Sequence, residues 1–202
     1  MATSSALYPV QLSIEYPDRP LNRMTTFFRI FTVIPIGIIL AFLAASAGTY
    51  SAAAAGFVFV PTLLMLLFRQ KYPRWWFDWN VALAAFSYRV SAYFLLLRDE
   101  YPSTDEEQAV HLEIAYPNAM DLNRWLPLVK WLLAIPHYFV LFVLGVAAFV
   151  CVVIAWFAIL FTGRYPRGLF DFVVGVLRWS LRVRAYVLLL ITDEYPPFEL
   201  ND

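Results

Sequence analysis

The sequence predicts a mainly α-helical integral membrane protein built from two tandem repeats. Each repeat is expected to hold a short β-strand, a transmembrane or re-entrant helical hairpin and an interfacial amphipathic helix. Three observations predict this: an apolar composition, two long windows without charged residues, and a set of motifs that occurs twice in one order. Of the 202 residues, 61% are hydrophobic and 15% are charged, with a mean hydropathy of +0.64. A soluble domain has about a quarter charged residues, so this composition is typical of a membrane protein.

Two windows contain no Asp, Glu, Lys or Arg: Ile30–Phe68 and Trp131–Gly163. A helix needs about 20 apolar residues to cross a hydrocarbon core of roughly 30 Å. The first window is about twice that length and carries the turn-like sequence SAGTYSA near its middle, so we expect two spans there. In the second window we favour two spans, Leu122–Leu144 and Val146–Thr162. One long span after an interfacial segment ending at Pro136 is the alternative, and re-entrant hairpins are a third possibility.

The same short motifs occur twice along the chain. LSIEYP, LNR, FRQKYPRWWFDW, AYFLLL and DEYP in the first half match LEIAYP, LNR, FTGRYPRGLFDF, AYVLLL and DEYP in the second. This order predicts a tandem duplication with units at residues 1–103 and 104–202, joined at the polar linker STDEEQA. Each unit begins with a strand of alternating apolar and polar residues. We expect the two strands to pair, because isolated strands are marginally stable in water.

The phrases FTGRYPRGLFDF, RVRAYVLLL and DEYPPF resemble a bacterial membrane family known as domain of unknown function 4389, which occurs in single and tandem copies. The resemblance covers essentially the whole chain and is sharper in the second half. It implies a small integral protein of the bacterial inner membrane. It brings no established activity and no functional residue.

Charge, cysteine and motif content exclude several classes of function. Lys+Arg and Asp+Glu are balanced at 15 each, so no basic field exists to attract nucleic acid. A single cysteine, Cys151, allows no internal disulfide, and the N-terminus lacks the pattern of a cleaved signal peptide. We expect no cofactor and no enzyme, because the motifs of hydrolases, nucleotide-binding loops and metalloproteases are absent. His111, His137 and Cys151 offer too few ligands for a metal site.

The flanks of the apolar windows carry basic residues and tryptophans. The clusters RQKYPR and RYPR follow the windows directly, and the positive-inside rule places them in the cytoplasm. With an even number of crossings in each half, both termini of this multi-pass protein lie on that side. Indole rings favour the headgroup layer, and the predicted interface anchors are Trp75, Trp76, Trp79, Trp125 and Trp179.

A third helix closes each unit, at Phe77–Leu97 and at Phe170–Ile191. Arginines interrupt these segments and would be costly at the bilayer centre, so we expect interfacial helices. The guanidinium fork suits phosphate oxygens. The residues predicted to contact anionic lipid headgroups or an acidic partner are Arg74, Arg89, Arg167, Arg178, Arg182 and Arg184.

Five further polar residues lie in or beside the apolar segments. Arg29 and Lys130 are expected to snorkel to the headgroups as interface anchors, and a substrate or proton path is the alternative. Asp78 and Asp171 are expected to stabilise the start of the third helices through the helix dipole. His137 is expected to be packed or hydrogen-bonded.

These features favour a non-catalytic accessory, scaffold or anchoring subunit that organises anionic lipid or a partner protein at the cytoplasmic face of the membrane. The partners expected are membrane lipids together with a protein partner or further copies of this chain. A homo-oligomeric channel or transporter is the alternative, and a membrane enzyme is less favoured. Polar residues at mid-span would support transport, and a cleft collecting Asp78 or Asp171 with His137 would support an enzyme.

Overall fold

The computed structural model describes residues 8–47, 59–104, 106 and 108–201. For residues 44–47 it describes the backbone only. Most of the expected turn at residues 46–52 lies outside the described residues. The described elements are β1 Val10–Ile14, α1 Arg23–Phe27, α2 Arg29–Ala47, α3 Phe59–Arg69, α4 Arg74–Phe94, β2 Val110–Ile114, α5 Lys130–Leu133, α6 Ile135–Thr162 and α7 Arg167–Arg184. A 3₁₀ turn at Leu126–Leu128 precedes α5, and π-helical turns close α3 and follow α7. The described chain is mainly helical, as predicted.

The two strands form one antiparallel sheet, which confirms the expected pairing. Leu12 lies opposite Leu112 at the centre of the register. Val10, Leu12 and Ile14 of β1 are buried, while the alternate residues Gln11 and Ser13 are exposed. The period of two therefore gives the sheet an apolar inner face and a polar outer face.

Each strand packs mainly on the helix of the other half of the chain: β1 on α7, and β2 on α4. The tyrosines that follow the strands also contact the other half of the chain. The hydroxyl of Tyr16 donates to the carbonyl of Tyr165 at 2.6 Å, just before α7. The hydroxyl of Tyr116 donates to the carbonyl of Tyr72 at 2.5 Å, just before α4. The two halves are therefore interlocked through their strands.

α6 is a single helix of 28 residues, so the favoured division into spans Leu122–Leu144 and Val146–Thr162 is wrong. The alternative, one long span after a segment ending at Pro136, agrees with the structure in having one continuous helix, although this helix already begins at Ile135. Gly145 lies inside α6, where a glycine costs only about 1 kcal/mol relative to alanine and no turn residues accompany it. Among the described residues, α6 is the helix long and apolar enough to cross a membrane.

The third helices begin one turn earlier than predicted, at Arg74 and Arg167. Each follows a proline, Pro73 or Pro166, whose fixed φ is compatible with a helix start. Both helices lie inside the protein. α7 packs against β1 and against α6, and α4 packs against β2 and against α2. Beyond the first residue of each helix, the arginines form no exposed face, because Arg182 is buried and Arg89, Arg178 and Arg184 are half-buried.

The second half contains one more residue between its AYVLLL and DEYP motifs than the first half does. The helix end absorbs this residue by widening. In the first half the amide of Leu97 donates to the carbonyl of Ala92, whereas in the second half the amide of Ile191 donates to the carbonyl of Ala185. An inserted residue is commonly accommodated as a π turn. The π-helical turn after α7 thus keeps Asp193 in the place that Asp99 has in the first half.

Candidate functional site

Arg29 belongs to a buried cluster at the start of α2. Its side chain is only 2% exposed, and it forms an ion pair with Asp99 and donates to the carbonyl of Arg98 at 3.0 Å. The guanidinium carbon lies 4.0 Å from the ring centroid of Tyr93. Asp99 also accepts a hydrogen bond from the amide of Asn22 at 2.5 Å. The predicted snorkelling of Arg29 is therefore wrong.

Lys130 has the equivalent place in the second half. Its side chain is 0% exposed, with Nζ 2.8 Å from Oδ1 of Asp193 and 2.6 Å from the carbonyl oxygen of Thr192. The ammonium lies 4.9 Å from the ring centroid of Tyr186, and Asp193 accepts from the amide of Asn123 at 2.6 Å. Burial lowers the pKa of Lys130, and the carboxylate of Asp193 acts in the opposite direction. Snorkelling is wrong here too.

These two clusters are structural ties. In each, a cation at the start of a helix is bound to the aspartate of a DEYP motif more than 60 residues away in sequence. A buried charge is tolerated only with a partner of opposite sign and further hydrogen bonds. Arg29 lies in the wall of a cavity of about 400 Å³ whose other lining residues are apolar or aromatic. A substrate or proton path would need further polar groups in that cavity, and Arg29 and Lys130 instead bind the chain's own main chain.

The arginines of the third helices bind carbonyl oxygens of the protein. Arg182 is only 4% exposed and donates to the carbonyls of Glu199 and Asn201, against the expectation of a headgroup contact. Arg178 donates to the carbonyl of Leu12 at 2.8 Å, and Arg89 donates to that of Ser103 at 3.0 Å. Arg178, Arg89 and Arg184 are half-buried. Arg178, Arg89 and Arg182 thus fasten the strand, the linker and the C-terminal segment to the helices.

Arg74 and Arg167 are exposed at the starts of α4 and α7. Their guanidinium carbons lie 4.7 Å and 4.8 Å from the ring centroids of Tyr116 and Tyr16. Arg74 also forms an exposed ion pair with Asp78 at 3.1 Å. We call the cleft beside Arg74 the basic cleft. It has a volume of about 550 Å³ and is bounded by Gln70, Lys71, Tyr72, Pro73, Arg74, Tyr116, Pro117, Asn118, Ala119 and Met120.

The basic cleft lies beside the end of α3, and a matching set of basic residues lies beside the end of α6. Arg124 donates to Oε1 of Gln70 at 2.5 Å, after α3. Arg23 donates to the carbonyl of Phe161 at 3.1 Å, in the last turn of α6, where Arg164 is exposed. Exposed positive charge therefore follows both apolar helices, in the place where headgroup phosphates would meet a membrane protein.

The tryptophans divide into exposed and buried groups. Trp75 and Trp125 are 70% and 69% exposed, and Trp79 is partly exposed, which is compatible with interface anchors. Trp76 and Trp179 are buried and donate through Nε1 to Oγ1 of Thr62 at 2.9 Å and to Nδ1 of His137 at 3.0 Å. Their predicted role as interface anchors is wrong, because each side chain is part of the protein interior.

His137 is packed and hydrogen-bonded, as expected. Its ring stacks on Phe198 at 4.1 Å between centroids, and it has no exposed surface. Asp78 and Asp171 lie beyond the first turns of α4 and α7, which begin at Arg74 and Arg167. The predicted helix-dipole role is therefore wrong, because the dipole acts mainly within the first turn. The described residues contain no cluster of three or more potential metal ligands, and they do not bring His137 together with either aspartate.

Sequence reasoning missed the aspartates of the DEYP motifs. Their recurrence after each third helix was visible, but their partners are far away in sequence. It also missed Tyr16 and Tyr116, which follow the strands and bind the starts of the third helices. The repeated YP dipeptide after each strand was the available signal.

Comparison with known proteins gives one family. Residues 125–199 match the model of the domain of unknown function DUF4389. The match covers α5, α6, α7 and the segment after them, and it confirms the resemblance carried by FTGRYPRGLFDF and DEYPPF. No curated protein and no solved structure matches the chain. DUF4389 brings no activity, so the function has to be argued from the geometry.

Proposed function

We propose that this chain is a non-catalytic accessory or anchoring protein of the bacterial inner membrane, formed by two tandem repeats, that holds anionic lipid at the cytoplasmic face. The observation that carries the proposal is the exposed apolar surface of α2 and α6. Its large exposed side chains include Phe31, Ile38, Phe42, Phe139, Phe142, Phe149, Phe157 and Phe161. A contiguous apolar surface of this kind marks a membrane or protein contact.

The charged residues support the same function. Exposed basic side chains follow α3 and α6, Lys71 and Arg74 in one half and Arg164 and Arg167 in the other. Positive charge beside a membrane segment attracts anionic lipid by about 1 kcal/mol per residue. The buried ionisable residues bind the protein's own main chain, which fits a scaffold better than a catalytic or transport site.

Vesicle flotation tests the proposal. We expect the variant Arg164→Gln/Arg167→Gln to bind phosphatidylglycerol-containing vesicles several-fold more weakly than the parent protein, while its binding to phosphatidylcholine vesicles changes little. Equal binding to both vesicle types by the parent protein would contradict an anionic-lipid role.

A second variant separates local charge from net charge. Gln11 and Glu113 lie opposite each other on the outer face of the sheet. Adding Gln11→Lys and Glu113→Gln to the arginine variant restores the net charge of the chain. We expect weak binding to persist in this combined variant. Recovery of binding would mean that net charge, and not the end of α6, controls lipid preference. Native mass spectrometry of protein extracted from its membranes would show whether a protein partner is held instead.

A further inference from the structure

α6 and α7 are antiparallel neighbours, so they share one inclination to the membrane. The short loop Gly163–Pro166 joins them, and α7 packs back along α6. Near the start of α6, Tyr138 and Leu141 share a cavity of about 260 Å³ with residues from the last part of α7 and the turn that follows it, including Val183 and Val187. A helix hairpin of this kind keeps its two axes close to parallel.

The sheet lies on the side of α7 that faces away from α6. Arg178 donates to the carbonyl of Leu12 in β1. Ser180 and Val183, which share the cavity with α6, lie about 200° and 140° round the helix from Arg178 at about 100° per residue. Polarity therefore changes across the helices, from the polar outer face of the sheet to the apolar face of α6.

The first half has the same layers. On one side of α4 the hydroxyl of Tyr93 is hydrogen-bonded to Thr32 of α2 at 2.8 Å. On the other side Phe77 packs edge-on against Tyr116, which follows β2, with 5.1 Å between centroids. α2 and α6 thus form one apolar layer, α4 and α7 form the middle layer, and the sheet forms the polar layer.

A spanning orientation of α6 conflicts with this order. If α6 stood across the bilayer, α7 would run through the hydrocarbon beside it, and the sheet would lie at the same depth. The sheet has two strands and therefore two outer edges. Arg178 binds the carbonyl of Leu12 on one of them, but open sheet edges do not occur in hydrocarbon. Glu113, exposed on the outer face, would add about 2.5 to 3.5 kcal/mol at the bilayer centre.

We propose that α2 and α6 lie in the plane of the membrane within one leaflet, with α4 and α7 at the headgroup level and the sheet in water. This rests on the proposed membrane function and replaces the multi-pass crossing that the sequence favours. A helix is about 10 Å in diameter, which fits within half of a hydrocarbon core of roughly 30 Å. The occupant of the apolar face is therefore the acyl-chain region of a single leaflet.

Spin labels on α6 test the proposal by their depth in the bilayer. Phe139, Val150 and Phe161 are exposed, and their spacing of eleven residues places them on one face of the helix. Each is replaced singly by cysteine in a Cys151→Ser background, labelled, and reconstituted in phosphatidylcholine–phosphatidylglycerol vesicles. Gln11→Cys on the outer face of the sheet is the matched control. Depth is measured from relaxation by oxygen and by a soluble nickel chelate.

The proposal expects the three α6 labels at one common depth in the hydrocarbon and the label at position 11 in water. A spanning helix would place position 150 deepest and the other two about 16 Å nearer the opposite surfaces, which would overturn the in-plane orientation and leave the membrane function intact. Water exposure of all labels would overturn both. Labels shielded from both relaxants, with mutual broadening, would identify a second copy as the occupant and overturn the proposal.

A measurement on the unmodified chain avoids dependence on the cysteine variants. Polarised infrared absorption of the amide I band in aligned bilayers reports the mean helix direction. Because α6 and α7 run side by side and α2 packs on α4, we expect dichroism typical of helices in the membrane plane. Dichroism typical of helices along the membrane normal would overturn the proposal.

Discussion

The ammonium of Lys130 lies 2.8 Å from Oδ1 of Asp193, and the lysine side chain has no exposed surface. Removing only one partner leaves a charge buried without compensation. We expect Asp193→Asn to destabilise the protein by about 3 kcal/mol, measured as a lower melting temperature in detergent. The double variant Lys130→Met/Asp193→Leu is expected to recover most of that loss, since the buried charge is gone. A double variant that is no more stable than Asp193→Asn would contradict a coupled pair.

Tyr72 and Tyr165 occupy matching positions before α4 and α7 but differ in their hydroxyl groups. The Tyr72 hydroxyl donates to the carbonyl of Leu189 at 2.9 Å, whereas the buried Tyr165 hydroxyl has no hydrogen-bond partner among the described residues. Tyr72→Phe is expected to cost about 1 kcal/mol of unfolding free energy. Tyr165→Phe is expected to be neutral or stabilising, because it removes a polar group that is buried without a partner. Equal losses in both variants would show that a partner for Tyr165 exists.

Alkaline pH is expected to destabilise the protein. Burial raises the pKa of Tyr8, Tyr72 and Tyr165 above the ordinary value, so the unfolded chain loses these protons first. Their contribution to stability is complete below about pH 10 and is lost as the pH rises further. Lys130 acts in the opposite sense, because burial lowers its pKa, but one group does not offset three. The melting temperature should fall as the pH rises from about 10 to about 12, and less steeply in Tyr165→Phe. A melting temperature that is flat or rising over this range would contradict the prediction.

Gly175 on α7 provides room for the C-terminal segment. A Cβ atom there would lie 2.9 Å from Cβ of Leu200 and 3.0 Å from its carbonyl oxygen. Gly175→Ala is expected to displace residues 199–201, which Arg182 otherwise binds, and to speed proteolysis of this end. Gly145→Ala is the control, since nothing lies within 4 Å of its Cβ. It should leave cleavage unchanged and raise stability by up to about 1 kcal/mol. Equal cleavage of both variants would mean that the tail does not depend on this contact.

Local patterns in the sequence predicted the elements better than their surroundings. The alternation in VQLSI and VHLEI is a property of each strand, so the sheet and its buried face could be predicted. The pairing of Arg29 with Asp99 could not, because a partner 70 residues away is not fixed by local periodicity. Arg29, Lys130 and Trp179 were expected at the membrane surface on the basis of residue type alone. Their burial depends on which helices cover them.

The misplaced helix boundary in the second window has a physical reason of the same kind. Glycine weakens a helix by a small amount, whereas a break also needs residues that satisfy the exposed backbone groups. None follows Gly145, and α6 continues to Gly163, which has φ +74° and ends the helix in the left-handed region. In the sequence, the glycine directly before RYP was a better sign of the helix end than Gly145.

The exchange of strands between the halves has a consequence for chains with a single unit. Such a chain would carry one strand with no antiparallel neighbour and one YP tyrosine with no helix start to bind. Two copies related by a two-fold axis would supply both, with one subunit's β1-like strand on the other's α7-like helix. A chain with the second unit alone is therefore expected to need a two-fold partner for its strand, whereas in the present chain the strand of each half supplies that partner.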